Sequence, residues 1–136
     1  SEAEARKIVQ DDAVAFFKQI PEILAHEVHT VVARSLGTYA LACALESGAV
    51  KPKKIVWQTP ALGSKWAIMR ECRVPGFGIL GTADHYFKDA LSHLPDERVV
   101  VESADHGMEI EDDPIRSIDV LRQVTAATSK WLNESR

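Results

Sequence analysis

Three residues able to take part in nucleophilic chemistry stand at matching places in this chain. Ser35 follows the apolar run Val31-Val32-Ala33, Asp84 follows the apolar stretch 77–80, and His106 follows Val99-Val100-Val101. A hydroxyl, a carboxylate and an imidazole are parts from which nucleophilic catalysis is assembled. Taken singly, each has a plainer reading. Ser35 can cap the helix that follows it, Asp84 can cap a helix near Tyr86, and His106 can be a loop imidazole bonded to backbone. It is the three together, each just after an expected strand, that weigh towards a triad. In a parallel sheet the ligand crevice lies outside the carboxyl ends of the strands, which is where all three stand.

The elements that must position them alternate helix and strand throughout, which predicts an α/β fold, a three-layer sandwich on a mainly parallel sheet of about four strands. A first helix is expected over about residues 2–19, with Ile8, Val9, Ala13, Phe16, Phe17 and Ile20 as its apolar stripe and Pro21 as its end or a break. Strands are expected near residues 28–33, 55–57, 77–80 and 99–101. Helices are expected over about 37–46, 64–70 and 86–92. The last helix begins sharply, with Asp113 as N-cap and Pro114 at its first position. Ile115, Ile118, Leu121, Val124 and Trp131 form its stripe. No repeat or linker divides the chain, so residues 1–136 read as a single domain.

The local sequence around each candidate adds to this. Ala33-Arg34-Ser35-Leu36-Gly37 is close to G-x-S-x-G, with Ala in place of the first Gly. Such a turn reverses a strand into a helix and leaves the Ser exposed, and small flanking residues avoid clashes there. Gly81-Thr82-Ala83-Asp84 and Ala104-Asp105-His106-Gly107 follow the third and fourth strands. In this order the motifs resemble those of the α/β-hydrolase family, in particular its small, lidless, dienelactone-hydrolase- or esterase-like members, over about residues 28–107.

The resemblance implies a serine hydrolase. Ser35 would attack an acyl carbonyl, His106 would take and return the proton, and Asp84 would hold the imidazole. The Leu36 amide, at the start of the second helix, would donate to the oxyanion with help from the helix dipole. Water would then hydrolyse the acyl-enzyme. Tyr86, beyond Asp84, and Met108, beyond His106, are candidates to line the substrate pocket. Asp105 and Asp89 are rival acids; Asp105 adjoins the His and Asp89 falls inside an expected helix. No cofactor is implied. The alternatives are a non-catalytic member kept as a binding or assembly module, and a flavodoxin-like domain in which the triad is coincidental.

Two departures from the family pattern matter. Family members have further strands before the elbow strand, and a loop among them supplies a second oxyanion donor; no such stretch precedes Ser35 here. Lacking that donor would lower the rate by roughly two to three orders of magnitude. It would also leave the strand at about 28–33 as an apolar sheet edge, which proteins usually cover. The expectation is that amino-terminal strands of a longer protein, or else a second copy or swapped segment, cover it. The chain begins without Met and enters a helical pattern at once, as a processed form or a piece would. The second departure is the short stretch between Ser35 and Asp84, which has no room for a cap domain and implies a modest acyl substrate.

Composition closes off other classes. Sixteen basic against twenty acidic residues give a net charge of −4, unlike a nucleic-acid binder with a clustered basic face. The Lys51, Lys53, Lys54 group is expected to open a strand rather than bind phosphate. No apolar run approaches the ~20 residues that span a bilayer, and no export signal is visible. Cys43 and Cys72 make no disulfide framework, so reduced cytoplasmic thiols are expected. His26-Glu27-Val28-His29 is one residue short of a zinc-binding H-E-x-x-H, and on a strand its two imidazoles would face opposite ways. No metal site is expected. Gly76-Phe77-Gly78 opens no dinucleotide loop, and Trp57, Trp66 and Trp131 are expected in or beside the core.

Overall fold

The computed structural model describes residues 1–24 and 28–134. His26 and Glu27 lie outside the described residues. The sheet has four parallel strands in the order β1-β2-β3-β4: β1 Thr30–Arg34, β2 Lys54–Gln58, β3 Gly76–Gly81 and β4 Arg98–Val101. The helices are α1 Glu2–Leu24, α2 Leu36–Glu46, α3 Ile68–Glu71, α4 Phe87–Leu91 and α5 Pro114–Asn133. The expected α/β sandwich is therefore present; β1 starts two residues later and ends one later than the sequence suggests, while β2, β3 and β4 are each a residue or two longer.

Side chains alternate across a strand, and the two faces hold two separate cores. On one face Ala33, Ile55, Trp57 and Leu80 meet Leu41, Ala42 and Ala44 of α2, with Met69, Ala90 and Leu94 beside them. On the other, Val56, Phe77, Ile79 and Val101 meet Val120, Val124 and Trp131 of α5. Each fully buried Leu or Ile contributes about 1.5–3 kcal/mol. α1 packs outside α2 rather than on the sheet.

Lys54, at the start of β2, is buried and donates to the carbonyls of Leu132 and Glu134 at 3.1 and 2.9 Å. It therefore opens a strand and holds the end of α5. Asp113 caps α5 as expected, accepting from the Arg116 amide at 2.9 Å, with Pro114 in the first turn.

Four expectations need correction. α1 runs through Pro21 to Leu24; only the last turn lies beyond the backbone bond that the proline removes. In the α1 stripe, Ile8 and Phe16 are exposed, since among the described residues α1 packs chiefly against α2. The expected helix at 64–70 is a 3₁₀ turn, Gly63–Lys65, followed by α3. So short a segment lacks the length to propagate an α-helix, and it uses i to i+3 bonds such as Lys65 N–H to Leu62 O at 2.9 Å. In the α5 stripe, Val124 and Trp131 are buried but Ile115, Ile118 and Leu121 are exposed. α5 lies over β3 and β4, and among the described residues Leu121 faces β1 only across a groove. Among the described residues β1 pairs with β2 alone, and its outward Val32 is 58% exposed.

Candidate active site

Ser35 sits in a sharp strand-to-helix turn with φ 49° and ψ −125°. A non-glycine residue with positive φ is strained by about 1–3 kcal/mol and persists only where its surroundings fix it. The fixing bonds are explicit. The Ser35 amide donates to Gln58 O at 3.1 Å, and its carbonyl accepts from the Thr38 amide at 2.9 Å. Thr38 Oγ1 also donates to Ser35 O, at 2.6 Å, and accepts from the Ala61 amide at 3.0 Å, fully buried. The elbow is thus pinned to β2 and to the loop after it. Ala33 is buried, as a small residue before the elbow should be. Gly37 is different: an added Cβ would meet no atom within 4 Å, so the steric reason expected for it does not operate here.

Asp84 and His106 are brought together by one close approach. A Cβ on Gly81 would lie 2.0 Å from Ala104 O; only glycine lets the end of β3 touch the loop after β4. The Ala83 amide donates to Ala104 O at 3.0 Å and the Ser103 amide to Thr82 Oγ1 at 2.8 Å, sealing the two loops.

The three candidates meet in one relay. Ser35 Oγ is 2.7 Å from His106 Nε2, and His106 Nδ1 is 2.8 Å from Asp84 Oδ2. The Asp84 side chain is fully buried, and its Oδ1 accepts from the Tyr86 amide at 2.9 Å. A carboxylate only accepts, so Nδ1 donates to it, and in the neutral imidazole Nε2 then has its lone pair towards the Ser35 hydroxyl. Asp105 bonds within its own loop instead. Its Oδ1 accepts from the Gly107 and Glu109 amides at 2.8 and 3.0 Å, folding the loop that carries His106. Asp89 lies exposed in α4.

The remaining candidates are near but apart. Leu36 is the first residue of α2, so its amide is among the first-turn N–H groups that lack an intrahelical acceptor. Tyr86 packs its ring 5.6 Å from that of His106. Met108 instead lines a cleft of about 590 Å³ with Arg34, Gln58, Ile118 and Leu121. Tyr86 is not one of that cleft's lining residues.

Two participants escaped the sequence reading. Arg34, beside Ser35, donates to Gly107 O at 3.2 Å and ties the elbow to the His106 loop a second time. His85 lies beside Asp84, with Nδ1 3.8 Å from Asp84 Oδ1. Its only signal in the sequence was its place next to Asp84. Cys43 and Cys72 are free thiols, and burial pushes both upward from the ordinary range, which leaves little thiolate to act as nucleophile. Among the described residues no helix is long and apolar enough to cross a membrane.

The fold is that of the α/β hydrolases. No family model and no curated protein sequence matches the chain. Among solved structures, a protein described as a predicted CIB-like hydrolase from Thermoplasma acidophilum superposes with a TM-score of 0.58 at 18% identity. The match covers 84% of this chain and 59% of that one, so this chain spans about three-fifths of the neighbour's length.

Proposed function

We propose that this protein is a serine hydrolase that cleaves a small carboxylic ester or thioester through an acyl-enzyme on Ser35. The observation that carries the reading is the unbroken relay Ser35–His106–Asp84, at 2.7 and 2.8 Å, on a buried acid. His106 Nε2 accepts the Ser35 proton as Oγ attacks the acyl carbonyl, and Asp84 stabilises the imidazolium. The Leu36 amide donates to the oxyanion at the positive end of α2. The imidazolium then gives its proton to the leaving alkoxide or thiolate. A water, deprotonated by the same nitrogen, releases the acid and restores Ser35.

The hydrolase neighbour is consistent with this chemistry. The cleft beside Arg34 and Met108 has room for a modest acyl group, and the free Cys43 and Cys72 suit a reducing compartment such as the cytoplasm. The test is steady-state hydrolysis of a panel of short acyl esters and thioesters by the wild type and by Ser35→Ala. The reading expects turnover of at least one class by the wild type alone. Equal turnover by both proteins would refute it.

A further inference from the structure

One more ring approaches the carboxylate at the end of the relay. The His85 side chain is 65% exposed, and its Nδ1 lies 3.8 Å from Asp84 Oδ1. Its ring centroid is 5.1 Å from that of His106 and 4.0 Å from that of Tyr86. One ligand atom from each of Asp84, His85 and His106 falls within 4.8 Å of the other two. Zinc bonds to imidazole nitrogen and carboxylate oxygen at about 2.0–2.2 Å. Donors 3.8 Å apart are therefore separated by nearly two such bonds and can hold a cation between them with little movement. His106, whose Nδ1 lies 2.8 Å from Asp84 Oδ2, offers the third ligand.

The donor set argues for the class of ion. Two imidazoles and one carboxylate suit zinc and its first-row neighbours, whereas magnesium and calcium favour all-oxygen shells. Asp84 is buried and held by the Tyr86 amide, so the anionic ligand is preorganised. His85 is outside, where it can meet an ion arriving from solvent.

We propose that Asp84, His85 and His106 form a binding site for a zinc-class divalent transition metal ion, and that filling it switches the Ser35 relay off. The binding half stands on the three ligands alone; the switching half rests on the serine-hydrolase reading. The off state follows from where the ring proton goes. If the ion takes His106 Nδ1, the one ring proton moves to Nε2, which then donates and can no longer accept from Ser35. If it takes Nε2, the lone pair that served Ser35 is consumed. No proton is gained or lost by the pair in the first case, and none is transferred in the second.

The test titrates the whole chain with zinc chloride by calorimetry and with cobalt chloride by visible absorption. Fluorophosphonate labelling is then followed with and without saturating zinc. His85→Ala, at an exposed position, and His93→Ala, remote from Asp84, are run alongside. The proposal expects one site per chain, weakened by more than about 100-fold in His85→Ala, beyond the 10–100-fold typical of losing a supporting group, and unchanged in His93→Ala. It expects zinc to block labelling of the wild type, a chelator to restore it, and His85→Ala to label equally with and without zinc. Binding that survives His85→Ala overturns the site. Labelling that zinc at saturation leaves unchanged or increases overturns the switch. His85-dependent binding by a protein that never labels upholds the site and refutes the serine-hydrolase reading instead.

Discussion

Trp57 and Leu80 are fully buried beneath α2 and its neighbours, whereas Val32, on the opposite side of β1, is 58% exposed. On that side Ile118 and Leu121 of α5 are also exposed, at 63% and 65%. A groove of about 410 Å³ runs there between Val32, Val56 and Ile79 of the sheet and Leu121, Val124 and Leu132 of the helix. The difference teaches where the site gets its rigidity. The elbow is pinned through Thr38 to Ala61, and the Asp84 loop is sealed to the His106 loop at Gly81 and Ala104. Each of these bonds lies on the packed side or across the strand ends, and none of them uses the groove. The relay is thus complete although, among the described residues, one flank of the sheet is bare.

The sharpest way to break this contrast is chemical. Asp84→Asn keeps the shape of the buried acid but can favour the wrong imidazole tautomer, and ester turnover is expected to fall on the order of 10⁴-fold. Unchanged circular dichroism must accompany the loss; a collapse of the fold would mean that Asp84 is structural first.

Packing gives the next largest effect. Leu41→Ala, in the sealed core, is expected to lower unfolding free energy by about 2–5 kcal/mol. Leu121→Ala, on the bare flank, is expected to stay within about 0.5 kcal/mol. Urea unfolding of both variants compares the two faces directly, and equal losses would show that the flank is covered in solution.

Thr38→Val probes the pin between them. It removes a fully buried hydroxyl that serves Ser35 O and the Ala61 amide, leaving the latter unpaired at about 1–3 kcal/mol. Because the elbow is what loosens, kcat is expected to drop more than KM rises. The smallest effect is expected from the thiols. With both pushed upward by burial, Cys43 and Cys72 are mostly protonated below their raised values, so brief iodoacetamide treatment near neutral pH should leave turnover unchanged.

Much of this was legible in the residues, for physical reasons. Apolar runs of three or four residues, each followed within a few positions by Ser35, Asp84 or His106, marked the strand ends, and the order of those residues marked the candidate site. Periodicity was less informative where it could not say what an apolar face meets. Ile118 and Leu121 keep helical spacing with Val124, yet only Val124 finds a neighbour in the core. Pro21 looked like a stop because its missing donor is visible in sequence, while the tolerance of a helix end is not. Arg34 and His85 were overlooked because their contacts, to Gly107 O and Asp84, depend on loops meeting across the top of the sheet. The role of Asp105 depends on its own loop, whose fold spacing alone does not specify.

The most direct test of the central claim is intact-mass spectrometry of the chain before and after a fluorophosphonate, with Ser35→Ala and peptide mapping alongside. The account predicts one adduct on the wild type, mapped to Ser35 and absent from the variant. A folded wild type that takes no adduct, or an adduct that persists in Ser35→Ala, would contradict it.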